Sequence, residues 1–232
     1  MKLYHLPTIG FSLPNKSCEY TLPPVSLSYK FLIKMEQAKI NSKSKAPFTS
    51  EQFNKAYNLP ITFWGDIRFP KELKELVETY KPKTSLELGC GLGRFSRFME
   101  EKKIKATGVD FSSVAIEKAK KRIANDERKP TFIVGDVTNL EMITEQFEVS
   151  FDIGCFHCLN EEGQQKYVSE IFRLLKPGAT HLIWALDTSP SDLKLNHDLM
   201  AKTFEKGFQL VYSKFSRRRI IASHWYWFVR AK

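Results

Sequence analysis

The chain has 232 residues, 42% hydrophobic and 27% charged, with a formal net charge of +10, a composition that fits a folded domain with its own core and excludes collagen-like, low-complexity and disulfide-scaffold classes. Neither a run of the ~20 apolar residues that cross a bilayer nor the apolar stretch and cleavage site of a signal peptide is found. Four cysteines (Cys18, Cys90, Cys155, Cys158) are too few and too unevenly spaced for a disulfide framework, so a reducing, cytoplasmic setting with no membrane partner is expected.

The positive excess sits at the two ends. Residues 1–47 carry +5, residues 214–232 carry +6, and the stretch between them sums to −1. Residues 1–45 read as a basic N-terminal arm, peripheral or part-disordered, with several prolines and one short helix over 26–39 whose apolar residues are sparse. The stretch 46–232 reads as the folded domain. Solvated ends explain the charge more simply than a polyanion-binding surface, because a nucleic-acid enzyme lines its channel with positive charge.

From Phe48 onward helical and apolar segments alternate densely. Leu73, Leu76 and Val77 follow Pro70 at helical spacing, predicting a helix over 71–80. Strands are predicted at 85–88, 106–110, 131–135, 150–155 and 180–186, with helices at 95–102, 113–124 and 162–175 between them. That alternation implies a parallel sheet built of right-handed crossovers. The last two strands, 208–215 and 224–230, have no room for a crossover helix and must pair antiparallel. The expected fold class is therefore α/β and Rossmann-like. Its seven-stranded sheet is mostly parallel, carries helices on both faces and ends in an antiparallel strand pair.

Ser85-Leu86-Glu87-Leu88-Gly89-Cys90-Gly91-Leu92-Gly93 passes from the first of these strands into a helix. Glycines there permit a sharp turn and a close backbone approach to a ligand, and the amides opening the next helix favour an electron-rich group. The second strand ends in Asp110, where a carboxylate can accept hydrogen bonds from ribose hydroxyls. The third runs into Gly135-Asp136-Val137, where an acid can meet an adenine amino group. Three such features at the carboxyl ends of successive strands fall where open α/β sheets bind ligands.

Taken in order, these motifs resemble the class I S-adenosylmethionine-dependent methyltransferase family over residues ~60 to 232. Glu87-Leu88-Gly89-Cys90-Gly91-Leu92-Gly93 looks like its first motif, and Gly108-Val109-Asp110-Phe111-Ser112 like its second. Gly135-Asp136-Val137 looks like the adenine-amino motif, Phe151-Asp152-Ile153-Gly154-Cys155 like the fourth strand, and Leu174-Leu175-Lys176-Pro177-Gly178 like the turn before the fifth. The resemblance implies S-adenosyl-L-methionine as cofactor, held by Trp64, Glu87, Gly89, Gly91, Asp110, Phe111, Asp136, Val137 and Cys155, and no metal. A nicotinamide or flavin dinucleotide is the rival. It favours glycines spaced G-x-G-x-x-G, whereas this turn reads G-x-G-x-G, and Glu87 would repel pyrophosphate. Glu87 either orients the turn or holds the ligand's ammonium through water.

Gly154-Cys155-Phe156-His157-Cys158-Leu159 follows the fourth strand. Cys155 and Cys158 form a C-x-x-C, but no second cysteine pair closes a zinc site, and the motif does not open the first helix of a thioredoxin-like unit. The run is similar to the Gly-Cys-Phe-His-His of small-molecule methyltransferases such as the tellurite-resistance and thiopurine enzymes, departing from it at Cys158. His157 is the candidate catalytic residue, as general base, substrate contact or buried structural histidine. Trp64 either covers the cofactor, as the resemblance implies, or packs on the sheet edge. Trp184 and Trp225 follow strand alternation into the core, and Arg217-Arg218-Arg219 reads as a solvated face.

The expected function is methyl transfer to a small molecule, a thiol or metalloid oxyanion among the candidates. RNA or protein methylation is the second reading and a non-catalytic cofactor-binding scaffold the third. Against the nucleic-acid versions, the chain has no Asn-Pro-Pro-Tyr-like run and no Pro-Cys pair. The basic ends keep RNA in view.

Overall fold

The computed structural model describes residues 48–59, 69–187, 193–218 and 221–232. The arm 1–45 with its expected helix, Trp64 and Arg219 lie outside the described residues. In chain order the elements are α1 (Ser50–Tyr57), α2 (Lys71–Tyr80), β1 (Thr84–Leu88), α3 (Arg94–Glu101), β2 (Lys105–Asp110), α4 (Ser113–Arg122) and β3 (Thr131–Val134). There follow β4 (Phe147–Ile153), a single 3-10 turn (Phe156–Cys158), α5 (Glu161–Leu174), β5 (Leu175–Leu186), α6 (His197–Phe204), β6 (Phe208–Arg218) and β7 (Ile221–Arg230). The strands form one 7-stranded sheet in the order β3-β2-β1-β4-β5-β7-β6. The first five in sequence pair parallel, and β7 runs antiparallel to both β5 and β6. This is the architecture the sequence predicts. Strand order reverses between β1 and β4, which opens a crevice at their carboxyl ends.

Side-chain alternation distributes the core over both faces. Leu86 and Leu88 of β1 and Ile183 of β5 join one cluster with Tyr167, Ile171 and Leu174 of α5 and Met200 and Phe204 of α6. Val149 and Phe151 of β4 join the opposite cluster with Leu73 and Leu76 of α2 and Phe95 and Met99 of α3. Trp184 and Trp225 belong to this second cluster, as their alternation foretells. Burying a side chain of this size contributes roughly 1.5–3 kcal/mol each, so the two layers clamp the strand ends that carry the site.

Local chemistry sets the helix starts. Ser112, Asn160 and Asn196 cap α4, α5 and α6, each accepting from a backbone amide with its side chain. Helix α3 has no such residue, because its N-cap is Gly93 at φ 73°. Two helices go beyond the predicted set. Helix α1 opens on a capping box in which Thr49 and Gln52 exchange side-chain-to-backbone bonds. Helix α6 fills the connection between β5 and β6. The expected strand over 150–155 begins and ends earlier, as β4, because Gly154 turns left-handed at φ 104°. Over the expected turn Leu174–Gly178, α5 instead runs straight into β5, whose register breaks where Phe147 pairs with Leu175 and Val149 with Thr180.

Candidate active site

The glycine turn after β1 is wound left-handed at three positions, with Gly89 at φ 66°, Gly91 at φ 53° and Gly93 at φ 73°. A Cβ on Gly89 would stand 2.5 Å from Cys155 Cβ, and one on Gly91 would stand 2.7 Å from the Tyr57 hydroxyl. The turn is therefore pressed between the segment after β4 and the end of α1, which leaves no room for larger residues. Glu87, one residue before Leu88 ends the strand, points to the α3 side. Its Oε2 accepts the Ser96 backbone amide at 2.7 Å and also the Ser96 hydroxyl. Ser96 is the third residue of α3, so Glu87 supplies the N-terminal cap that Gly93 lacks. Of the two roles expected for Glu87, orienting the turn is the one this geometry displays.

Asp110 closes the turn from the neighbouring strand. Its Oδ2 accepts from Gly91 N and its Oδ1 from Ser112 N, both at 2.9 Å. Each oxygen keeps a lone pair for a further donor. Phe111 follows, packed edge-on against Phe53 of α1 at 5.0 Å between ring centroids. Asn54 of the same helix accepts from the Ser112 hydroxyl at 2.6 Å, and Lys118 Nζ donates to the Tyr57 carbonyl. Helix α1 thus lies across the second motif and carries Tyr57 to the glycine turn. Asp136 is exposed and caps its own turn, accepting from Thr138 N and Thr138 Oγ1 at 2.8 Å, while Val137 is buried in the core cluster beneath it.

The loop after β4 is held by one fully buried acid. Asp152 accepts from the amides of Gly154 at 3.0 Å, Cys155 at 2.8 Å and Phe156 at 2.9 Å. Tyr167 Oη donates to the same carboxyl at 3.0 Å and stands 3.1 Å from His181 Nε2, while His181 Nδ1 meets Ser150 Oγ at 2.7 Å. Burial pushes His181 down to about 3, so the ring is neutral. With the Tyr167 proton directed at Asp152, His181 donates from Nε2 to Tyr167 and accepts from Ser150 at Nδ1. A chain of donors across β4, α5 and β5 therefore ends on the acid that shapes the loop.

Within that loop Cys155 faces Gly89, and burial drives its thiol well above the ordinary range. A thiol so protonated is a poor nucleophile. Cys155 and Cys158 form no disulfide with each other, and no cluster of metal-ligating side chains occurs among the described residues. His157 is 7% exposed, and its Nδ1 faces the Leu186 amide at a long 3.5 Å.

Three buried acids therefore end three adjacent strands. Burial raises Glu87 to about 8, with the nearby charges of Asp110 and Asp152 adding to the rise. Asp152 is raised to about 7 and Asp110 is raised as well, burial being the main cause for each. The hollow beside the turn is lined by Glu87 together with Arg94 and Arg122. Of the residues singled out in the sequence, the structure gathers Glu87, Gly89, Gly91, Asp110 and Cys155 at one turn, and Phe111 follows Asp110 against Phe53. Nothing in the sequence singles out Tyr57, Tyr167 or His181, whose partners are far away in sequence and are joined to them only by the fold. The same holds for a His224–Asp187 pair at the end of β5, where Nδ1 lies 2.7 Å from Oδ1.

Comparison with known proteins agrees with this layout. Residues 86–178 match a family model described as a methyltransferase domain. The tRNA N(3)-methylcytidine methyltransferase trm140 of Schizosaccharomyces pombe is 30% identical over 155 residues, which is 62% of this chain and 50% of that protein. A demethylmenaquinone methyltransferase of Thermotoga maritima is 31% identical over 121 residues, 51% of this chain and 50% of that one. The chain thus spans about half the length of these curated relatives. Among solved structures, N-methyltransferase NodS from Bradyrhizobium japonicum, in complex with S-adenosyl-L-homocysteine, superposes with TM-score 0.66 at 14% identity, covering 80% of this chain and 100% of that one. Among the described residues no helix is long and apolar enough to cross a membrane.

Proposed function

We propose that this chain, whose residues 86–178 match a methyltransferase domain and whose fold is that of a solved N-methyltransferase, is a class I S-adenosylmethionine-dependent methyltransferase that binds S-adenosylmethionine at the glycine turn and methylates a small-molecule acceptor. The observation that carries the reading is the left-handed glycine turn closed by Asp110, whose two oxygens keep lone pairs beyond the Gly91 and Ser112 amides they accept. A turn spaced G-x-G-x-G with Asp110 at the end of the neighbouring strand suits ribose hydroxyls and departs from the G-x-G-x-x-G that seats a dinucleotide's pyrophosphate. The residues present therefore fit the cofactor. Asp110 offers its remaining lone pairs to ribose hydroxyls, Phe111 a ring edge to adenine, and Asp136 with Val137 the adenine's far side. Gly89 and Gly91 let the backbone approach, Cys155 packs beside the turn, and Glu87 keeps α3 in register behind it.

Bound S-adenosylmethionine supplies a methyl group on a positively charged sulfur, which is already electrophilic. The chain's contribution is then alignment, exclusion of water and handling of the acceptor's proton. Asp152 fixes the loop that carries Cys155 and His157, so these side chains meet the acceptor in one geometry. Where Nδ1 of His157 accepts from the Leu186 amide, the ring proton of that tautomer sits on Nε2. His157 on this reading is a hydrogen-bond donor to the substrate.

The test is direct. Calorimetry with S-adenosylhomocysteine measures the cofactor site, and incubation with methyl-labelled S-adenosylmethionine and a panel of thiols, metalloid oxyanions, amines, phenols and bulk RNA finds the acceptor. Label entering any small molecule supports the proposal, and label entering RNA alone overturns the acceptor class. RNA merits its place in the panel because trm140 matches over 155 residues and the chain carries +10.

A further inference from the structure

We infer that His224, held by Asp187, is the proton acceptor of this site, and that the methylated atom is a nitrogen or oxygen that carries a proton at neutral pH. The inference rests on the cofactor reading above and extends it to the acceptor. His224 Nδ1 lies 2.7 Å from Asp187 Oδ1, and the two side chains are 27% and 31% exposed, so solvent and a substrate can reach them. The pair stands at the carboxyl edge of the sheet. Asp187 is the residue after β5, and β7 runs antiparallel, so its first residues lie beside the end of β5, with Leu186 paired to Ser223 and Ala185 to His224. Leu186, whose amide faces His157, adjoins Asp187. The dyad therefore flanks the loop after β4 on the ligand side of the sheet.

Its geometry suits proton acceptance better than that of His157. A carboxylate on Nδ1 fixes the tautomer with the proton on that nitrogen, turns Nε2 into an acceptor, and stabilises the imidazolium that forms. Phe215 at 5.3 Å and Tyr226 at 5.8 Å between ring centroids hold the imidazole plane. Among the described residues no hydrogen bond to Nε2 is found. His157 has the opposite arrangement, with an amide at Nδ1 and hence a donor at Nε2. A purely structural purpose for the dyad is hard to sustain. β5 and β7 are already joined from Thr180↔Val229 to Leu186↔Ser223, and Asp187 N donates to Ala222 O at 3.0 Å at the same spot. A partly exposed hydrogen-bonded pair adds little to such a ladder.

The step balances. The acceptor's lone pair forms the new bond to the methyl carbon, the electrons of the old bond remain on sulfur, and the acceptor's proton passes to His224 Nε2. One positive charge leaves as the sulfur becomes a neutral thioether, and one appears as imidazolium beside Asp187. A thiolate or metalloid oxyanion has no proton to give and would not need the dyad.

The experiment uses the full chain with His224→Ala, Asp187→Asn and His157→Gln. Long-range proton–nitrogen NMR at about pH 9, where imidazole is neutral, should place the His224 proton on Nδ1; a proton on Nε2 overturns the proposal. S-adenosylhomocysteine affinity should stay within about twofold in all three variants, and wild type failing to bind it would sink the cofactor reading instead. On whichever acceptor the wild type methylates, His224→Ala should lose about 100-fold or more in kcat, and added imidazole should recover about tenfold. An unchanged rate, a loss that imidazole does not repair, or an acceptor that is only a thiolate or oxyanion would each overturn it.

Discussion

Replacing Glu87 with Gln should reverse part of the pH dependence of stability. Glu87 is raised by burial from 4.5 to about 8 in the folded chain. An acid whose folded value lies above its unfolded value binds more protons when folded, so its contribution is intact below pH ~4.5 and is lost as pH climbs towards ~8. At about 1.4 kcal/mol per unit, the fold loses on the order of 5 kcal/mol across that window, of which about 3 kcal/mol is gone by pH 7. The substituted glutamine keeps an oxygen for the Ser96 amide and hydroxyl but adds an amide group without a partner, at roughly 1–2 kcal/mol. Urea titrations at pH ~5 and pH ~8.5 should therefore cross, the wild type being the more stable in acid and Glu87→Gln in base. Asp152 and Asp110 shift in the same direction, so both proteins keep a common background slope. Parallel pH profiles for the two proteins would refute the assignment of a buried, proton-bearing Glu87.

Asp110→Ala should weaken S-adenosylhomocysteine on the order of 2–4 kcal/mol by removing two charge-assisted acceptors, read by calorimetry; a change under about twofold would contradict the ribose role. Gly89→Ala should lower the stability read from urea titration by at least ~1 kcal/mol, since the turn is left-handed and the new Cβ meets Cys155 Cβ at 2.5 Å. Replacing both Cys155 and Cys158 with Ser should leave the metal content unchanged at zero, and stoichiometric zinc in the wild type, read by elemental analysis, would refute this. A chain beginning at Ala46 keeps α1 and should bind S-adenosylhomocysteine within about twofold. Were RNA the substrate, the same truncation would flatten the salt dependence of RNA binding by roughly 0.9 in log–log slope for each phosphate no longer neutralised.

The fold was legible because the alternation of apolar faces survives in nearly every element. Val149 and Phe151 point one way along β4 and Ser150 and Asp152 the other, and the paired strands after α6 leave no space for a crossover. The glycine turn and the strand-end acids were legible for the same reason, since each lies within a short local motif. Helix α1 was signalled by Thr49 and Gln52, which read as a start only once the capping box is looked for. The rest was hidden by distance along the chain. Nothing in Ser150, Tyr167 and His181 individually announces a hydrogen-bonded chain ending on Asp152, and nothing local ties Asp187 to His224, 37 residues later. His157 stands in a recognisable motif, whereas the histidine with a carboxylate behind it stands in one strand of the terminal antiparallel pair.

The central claim is that the turn from Gly89 to Gly93, closed by Asp110, holds a cationic adenosyl ligand. Calorimetric titration of the full chain with S-adenosylmethionine, S-adenosylhomocysteine and NADH, repeated on Asp110→Ala, tests it most directly. Saturable binding of the first two that weakens in the variant, with NADH silent, is the predicted result. NADH binding as tightly as S-adenosylmethionine, or S-adenosylmethionine affinity indifferent to Asp110, would contradict it.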